Sequence, residues 1–302
     1  MPLSKPCTLC PRSCRAKRFS GETGYCGANN ELKIARAALH HWEEPPISGE
    51  RGSGAVFFSN CPLRCVYCQN YDISQAGRGE AISVRRLADI FSELALQGAH
   101  NINLVTATQY TEEVIEAVAA ARQAGLQLPI IWNSSAYETT ALIKRLAGTV
   151  DAWLFDYRYS DKTLAQRYSN APDYPEIAQD ALVAAVQQAG EYHLGDSGLL
   201  VSGVVVRFLL LPGQLTDTIN CLDTVYSLFG DQVCYSLMSQ YTAPVGIADK
   251  YPELAGPIRQ WDYDLFVDHA LSLTLKHSFM QEPDSASESF IPPFNLTGVY
   301  PI

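Results

Sequence analysis

The length, composition and charge of the chain exclude several classes of protein before any motif is considered. Its 302 residues suffice for two average domains or one α/β barrel, and 47% hydrophobic against 18% charged residues excludes intrinsic disorder. Acidic residues outnumber basic ones by 32 to 22, and this net charge of −10 argues against nucleic-acid binding, which needs a surplus of Lys and Arg.

The sequence predicts neither a membrane span nor export. It contains no apolar run of about 18 residues, the usual minimum for a spanning helix. Residues 1–6 lack the apolar core of a signal peptide. We therefore expect a cytoplasmic protein with no membrane partner.

Regular secondary structure is predicted to begin near residue 55, after a loop-rich segment that contains four cysteines. Short apolar runs predict six strands, and apolar residues at helical spacing predict the helices between them. The predicted strands are 55–58, 101–105, 128–132, 152–155, 200–211 and 233–238. The predicted helices are 84–98, 111–125, 137–147, 161–190 (interrupted by prolines), 216–229 and 258–275, followed by an extended tail.

This alternation predicts an α/β fold with a parallel sheet, because each strand is followed by a crossover helix. Right-handed crossovers curl such a sheet in one direction, towards a full or partial barrel. In that architecture the chemistry lies at the carboxyl ends of the strands. The residues that directly follow each strand are therefore the first candidates for a functional site.

Three cysteines follow the first predicted strand in a C-x3-C-x2-C pattern: Cys61, Cys65 and Cys68. We call residues 61–68 the three-cysteine loop. A structural zinc site normally uses four protein ligands, whereas three thiolates on a four-iron cluster leave one iron open to a substrate or cofactor. The pattern and its position after a strand therefore favour an iron–sulfur cluster in an active site.

The three-cysteine loop, with Tyr67 before its last cysteine, resembles the signature of the radical S-adenosylmethionine (SAM) superfamily. The flanking residues 58–61 and 68–71 resemble the pyruvate formate-lyase activating enzyme branch. The strongest resemblance is to activating-enzyme-like proteins that have an extra N-terminal cysteine cluster, and it extends from residue 7 to about residue 242.

The resemblance implies a fold and its division into three regions. It implies a partial (β/α)6 radical SAM barrel at residues 55–245, preceded by a cysteine-rich, metal-binding extension at residues 1–54. Residues 246–302 are expected to form a C-terminal helix and an extended tail.

The resemblance also implies a reaction. Cys61, Cys65 and Cys68 would be catalytic ligands of a [4Fe-4S] cluster whose open iron binds the amino and carboxylate groups of SAM, next to Tyr67. One electron, from a reductant such as flavodoxin or ferredoxin, would cleave SAM to methionine and a 5′-deoxyadenosyl radical that abstracts hydrogen. In the activating-enzyme branch the substrate is a glycyl-radical protein.

Polar residues after the second and third strands are candidates for SAM binding. Thr106 and Thr108 lie where the family usually has a Gly-Gly-Glu turn that binds the SAM amino group, and hydroxyls or backbone carbonyls here could replace it. Helix capping explains Thr108 equally well. Asn133 and Ser134 could bind ribose hydroxyls, although ordinary turn chemistry also explains them.

Two arginines near the ends of later strands are further candidates for SAM binding. Arg158 follows the fourth strand, where activating enzymes have a lysine that faces the SAM carboxylate, and a guanidinium can bind a carboxylate in a bidentate way. Arg207 interrupts the apolar fifth strand, so its charge must be paired or face a ligand. The family has a similarly placed base.

Four further cysteines lie within twenty residues near the N-terminus: Cys7, Cys10, Cys14 and Cys26. Four thiolates in so short a segment predict a second metal centre. Tetrahedral zinc and an auxiliary iron–sulfur cluster both suit such a ligand set.

Three functions therefore remain open from the sequence. The first, which we favour, is an activase that forms a glycyl radical on a partner protein. The second is a radical SAM enzyme that acts on a small molecule or peptide, and the third is a metal-binding protein without catalysis. The three-cysteine loop together with Arg158 and Arg207 argues against the third.

Overall fold

The computed structural model describes residues 6–281 and 292–301. Part of the predicted extended tail, residues 282–291 and 302, lies outside the described residues. In the described ranges no helix is both long enough and apolar enough to cross a membrane.

One mixed β-sheet forms the centre of the molecule. Its strands are β1 (Lys33–His40), β2 (Ser53–Phe58), β3 (Glu80–Ala81), β4 (Ile102–Val105), β5 (Ile130–Ser134), β6 (Ala152–Asp156), β7 (His193–Leu194), β8 (Leu200–Leu209), β9 (Cys234–Met238) and β10 (Ser278–Met280).

The helices are α1 (Pro45–Ser48), α2 (Tyr71–Ser74), α3 (Val84–Leu96), α4 (Thr111–Gln123), α5 (Thr140–Arg145), α6 (Lys162–Ser169), α7 (Tyr174–Ala189), α8 (Leu215–Phe229) and α9 (Gln260–Ser272). The predicted helix 161–190 is divided because Asn170 takes a left-handed conformation after α6 and a proline opens α7.

The sheet has the order β10-β9-β8-β6-β5-β4-β2-β1-β3, with β7 paired to β8 outside this path. Neighbours from β2 to β10 are parallel, whereas β1 pairs antiparallel with both β2 and β3. The six predicted strands correspond to β2, β4, β5, β6, β8 and β9. The predicted α/β fold is confirmed, and the sheet is open, as a partial barrel requires.

The parallel strands are buried along nearly their whole length. Every residue of β2, β4, β5 and β9 is buried. Strands that are covered on both faces have continuous apolar runs instead of an alternating pattern, which is why short apolar runs predicted these strands. The interior contains large side chains that are almost completely buried, among them Trp132, Trp153, Phe58, Phe155 and Phe208.

The sequence did not predict β1, which lies in the segment expected to be loop-rich. The strand contains Lys33, Arg36 and His40, and these polar residues hide its apolar pattern. It extends the sheet beyond β2, with Ala37 opposite Val56. The sheet therefore runs across the predicted boundary at residue 54, and β10 extends it across the boundary at residue 245.

The connection between β1 and β2 is fixed to the far side of the sheet by a buried ion pair. Arg207 of β8 donates from Nε to Glu44 Oε1 and from a terminal nitrogen to Glu44 Oε2, each at 2.8 Å. Both residues are only 8% exposed. The same terminal nitrogen also donates to the carboxylate of Glu43. A charge left alone at this depth would be strongly destabilising.

We therefore expect Arg207→Met to lower the free energy of unfolding by about 3–5 kcal/mol, because Glu44 would remain buried without its cation. Adding Glu44→Met should recover part of this loss, so the two substitutions should be non-additive by about 0.5–3 kcal/mol. Chemical denaturation of the two single variants and the double variant measures this coupling.

The matched control for this cycle is the pair Lys162–Glu176, whose side chains are 62% and 70% exposed at a separation of 2.6 Å. Its coupling energy should be below about 1 kcal/mol. Additive losses at Glu44 and Arg207 would contradict the structural role of their ion pair.

Candidate active site

A cavity of about 470 Å³ lies at the carboxyl ends of the parallel strands. Its volume falls in the range of small-molecule and cofactor sites. In α/β barrels the active site lies at this same end of the strands. The predicted site residues that line it are Cys61, Cys65, Tyr67, Cys68, Thr106, Asn133, Ser134, Arg158 and Arg207.

The three-cysteine loop leaves the sheet through a sharp turn after β2. Asn60 and Arg64 both have left-handed backbone conformations, with φ of 74° and 59°. The amide of Cys68 donates to the carbonyl of Cys65 at 3.2 Å, and the amide of Val66 donates to the carbonyl of Tyr168 at 2.8 Å. The first bond closes the loop on itself, and the second holds it against the end of α6.

Two hydroxyl groups donate hydrogen bonds to the thiols of the loop. Ser74 Oγ lies 3.3 Å from Cys68 Sγ, and Ser169 Oγ lies 3.1 Å from Cys65 Sγ. Donors of this kind orient thiolate ligands and stabilise their charge around a metal centre.

The number of thiols in the cavity suits an iron–sulfur cluster with one open iron. In the part of the chain that the structure describes, no three His, Cys, Asp or Glu side chains come together as one metal ion would require. Each thiolate of a [4Fe-4S] cluster binds a different iron. Cys61, Cys65 and Cys68 all face the same cavity. They would hold three irons and leave the fourth open.

Burial raises the pKa of the Cys61 thiol to about 12 and also raises that of Cys68. These groups therefore stay protonated near neutral pH until a cation binds them. Assembly of a cluster at this site must release protons.

Arg158 lies in the cavity wall and has a hydrogen-bond donor that no described residue accepts. Its guanidinium forms an ion pair with Asp156 at 2.6 Å, and its Nε has no hydrogen-bond partner among the described residues although it is buried. Asn70 Oδ1, which also lies in the cavity wall, is likewise buried and has no hydrogen-bond partner among the described residues. Buried polar atoms without partners are rare in proteins, and at a cavity they fit a polar ligand such as SAM.

Arg207 also lines the cavity, but its guanidinium is already bound by Glu43 and Glu44. A ligand carboxylate would have to compete with these two side chains. Glu43 Oε1 also accepts hydrogen bonds from the side-chain amides of Asn103, at 2.9 Å, and Asn133, at 3.4 Å.

Sequence reasoning missed Glu43 and Glu44, which line the cavity from the connection between β1 and β2. One signal was present in the sequence: a buried arginine inside an apolar strand needs a carboxylate partner. The partner could not be identified because β1, which brings the two glutamates to the sheet, was not predicted.

The remaining predicted SAM-binding residues lie in different surroundings. Thr106 has φ of 60°, and its amide donates to the carbonyl of Asn133 at 2.8 Å at the cavity edge. The hydroxyl of Tyr67 accepts a hydrogen bond from Tyr159 at 2.7 Å. Thr108 is not among the residues that line the cavity.

Thr108 is instead bound to a buried carboxyl group. Its hydroxyl donates to Glu138 Oε1 at 2.6 Å, and Trp132 Nε1 donates to the same oxygen at 3.2 Å. Burial raises the pKa of Glu138 to about 7, while these hydrogen bonds act in the opposite direction. The hydroxyl of Thr108 is therefore bound to a carboxyl group outside the cavity lining.

The four N-terminal cysteines lie in one short segment, residues 7–26, which we call the N-terminal knot. A Cβ atom on Gly24 would lie 3.5 Å from the sulfurs of both Cys14 and Cys26, so the lack of a side chain leaves room beside them. Cys26 is buried, whereas Cys14 is exposed. The knot touches the three-cysteine loop, because the amide of Cys61 donates to the carbonyl of Cys26 at 3.3 Å.

Comparison with known families finds one match that includes the loop. Residues 47–169 match a family described as a 4Fe-4S single cluster domain. The uncharacterized protein MJ0674 of Methanocaldococcus jannaschii is 25% identical over 285 residues, which cover 91% of this chain and 75% of that protein.

Three solved structures, one of them a radical SAM methyltransferase, have a similar fold. A radical SAM methyltransferase from Sphaerobacter thermophilus matches with a TM-score of 0.53 and 14% identity, over 75% of this chain and 66% of that chain. SuiB of Streptococcus suis bound to S-adenosylmethionine matches with a TM-score of 0.50 and 11% identity, over 74% and 48%. Methylornithine synthase (PylB) matches with a TM-score of 0.50 and 14% identity, over 73% and 60%.

This chain therefore spans about half to two thirds of the length of these solved structures. At such identities the likeness concerns the fold alone. The cluster-domain match covers residues 47–169, and the solved structures share the fold of about three quarters of this chain.

Proposed function

We propose that this protein is a radical SAM enzyme that binds a [4Fe-4S] cluster through Cys61, Cys65 and Cys68. One observation carries the proposal: the three thiols line a single cavity together with charged side chains at the carboxyl ends of the strands. When bound, the cluster supplies the electron that cleaves SAM to methionine and a 5′-deoxyadenosyl radical, which takes a hydrogen atom from the substrate.

The residues around the thiols have distinct tasks in this proposal. Arg158, with its unused Nε, binds the carboxylate of SAM through a charge-assisted hydrogen bond. Thr106 binds the SAM amino group through its backbone or hydroxyl, while Asn133 and Ser134 lie at the ribose. Arg207 fixes the two glutamates in the cavity wall.

Apolar side chains also line the cavity. Phe57, Leu209, Met238 and the ring of Tyr241 line its wall. A dry enclosure protects a reactive radical from side reactions until it meets its substrate.

We propose that the protein is, more specifically, an activase that forms a glycyl radical on a partner protein. Its substrate would be a glycyl-radical protein, and its reductant flavodoxin or ferredoxin. The resemblance of residues 58–61 and 68–71 to activating enzymes supports this assignment. The open sheet is compatible with it, because an incomplete barrel leaves a side through which a peptide loop can enter.

A second candidate, action on a small molecule or peptide, is favoured by the charges in the cavity wall. Glu43, Glu44, Asp156, Arg158 and Arg207 all line the cavity. A backbone glycine offers such side chains no charge to bind, whereas a polar metabolite does.

Electron paramagnetic resonance distinguishes the two candidates. If the activase assignment holds, reduced protein mixed with SAM and a glycyl-radical partner should produce the doublet of a glycyl radical on the partner. The second candidate would be favoured if the partner shows no glycyl-radical doublet while a polar metabolite stimulates release of 5′-deoxyadenosine.

We also propose that the N-terminal knot binds one metal centre through Cys7, Cys10, Cys14 and Cys26. Four thiolates suit either an auxiliary iron–sulfur cluster or tetrahedral zinc. Burial raises the pKa of Cys10 to about 12, so metal binding must displace its proton as well.

Replacing Cys61, Cys65 and Cys68 together by Ala tests the cluster assignment. We expect the variant to lose one four-iron cluster and all SAM cleavage, because the cluster would have no ligands. Metal held by the knot should remain, at close to one centre per chain. Metal analysis and product analysis measure both effects, and unchanged iron with unchanged cleavage would rule out the assignment.

Arg158→Ala tests the SAM site separately from the cluster. The variant should bind SAM about ten- to a hundredfold more weakly, because it lacks one charged hydrogen bond worth about 1.5–3 kcal/mol. Its iron content should stay that of the unmodified protein. A titration of the loaded protein with SAM measures the affinity, and an unchanged value would exclude Arg158 from the SAM site.

A further inference from the structure

Arg12 makes an unusual set of contacts between the N-terminal knot and the three-cysteine loop. It lies between Cys10 and Cys14 in the sequence. Its guanidinium donates to the carbonyl oxygens of Pro62 at 2.9 Å and Leu63 at 3.1 Å. Both carbonyls belong to the backbone between two cluster cysteines.

The same guanidinium also reaches the end of α6. It donates to the carbonyl of Ser169 at 2.7 Å and to that of Asn170. Ser169 is the residue whose hydroxyl donates to Cys65 Sγ at 3.1 Å. One arginine therefore holds the loop backbone and the residue that hydrogen-bonds a cluster ligand.

Two tyrosine rings fix the orientation of this guanidinium. Its central carbon lies 4.2 Å from the ring centroid of Tyr25 and 5.0 Å from that of Tyr137. Arg64 of the three-cysteine loop in turn donates to the carbonyl of Tyr25 at 3.3 Å. Only a guanidinium offers five donors in one rigid plane, so lysine could not reproduce the contacts.

The knot itself has little regular structure that could hold Arg12 in place. The one helical element assigned within residues 7–26 is the short 3-10 turn Arg18–Ser20. A metal that closes the four cysteines would remove most of the conformational freedom of this segment.

We propose that Arg12 is a positioning residue through which metal bound at the N-terminal knot fixes the three-cysteine loop. The metal orders the knot, the ordered knot holds Arg12, and Arg12 holds the carbonyls of Pro62 and Leu63. Cys61 and Cys65 then keep the orientation that the cluster needs. This inference rests on both proposed metal centres, at the loop and at the knot, but its main test does not require SAM cleavage.

Hydrogen–deuterium exchange of the anaerobic, metal-loaded protein is the main test, followed in peptides that span residues 61–68. Arg12→Lys keeps the positive charge but removes the planar guanidinium and its several donors. The amides of residues 61–68 should therefore exchange about tenfold faster or more. The control is Arg15→Lys, an exposed arginine of the same knot, which should leave their exchange unchanged.

A second variant keeps the test decisive if Arg12→Lys does not fold. Cys14→Ser removes an exposed ligand of the knot and leaves the three-cysteine loop intact. It should lose the metal of the knot and show the same faster exchange at residues 61–68. Loss of that metal with unchanged exchange would overturn the proposal, as would unchanged exchange in a folded Arg12→Lys protein.

The spectrum of the reduced cluster gives an independent measure. In Arg12→Lys the change of the paramagnetic signal on adding SAM should be smaller than in Arg15→Lys, at equal iron content. If the unmodified protein shows no response to SAM, the proposed function fails, and the exchange experiment still decides the role of Arg12.

Discussion

The backbone of the three-cysteine loop depends on hydrogen bonds from segments that are distant in sequence. Its first amide donates to Cys26 of the N-terminal knot, and Val66 donates to Tyr168 at the end of α6. Arg12 binds two of its carbonyls. Three thiolates can leave an iron open only while they face the same space, so these distant contacts are a condition of the chemistry we propose.

The same dependence extends to the charges of the cavity. Arg207 belongs to the sheet, but the carboxylates that neutralise it come from the connection between β1 and β2. The segment before residue 54 thus supplies one wall of the cavity as well as the support of the loop. It is part of the active site in the proposed function and more than a metal-binding extension.

Sequence reasoning predicted those features whose cause is local. Buried parallel strands are continuous apolar runs, so β2, β4, β5, β6, β8 and β9 could be identified. The spacing of Cys61, Cys65 and Cys68 predicted a site at the end of the first of them, where the cavity lies. The cavity also contains Arg158, which was predicted from its place after a strand.

Features that depend on distant partners could not be predicted in this way. Glu44 and Arg207 are 163 residues apart, and Arg12 is 157 residues from Ser169. Thr108 looked suitable for SAM binding, but a buried carboxyl group thirty residues later holds its hydroxyl. A single sequence gives no information on such pairings, because they arise only when the strands are assembled.

The central claim is that this chain cleaves SAM reductively, and product analysis tests it most directly. The protein would be loaded anaerobically with iron and sulfide, reduced with dithionite and mixed with SAM. The account predicts 5′-deoxyadenosine and methionine in equal amounts, increasing with the content of reduced cluster. Complete recovery of intact SAM from protein that carries a reduced [4Fe-4S] cluster would contradict it.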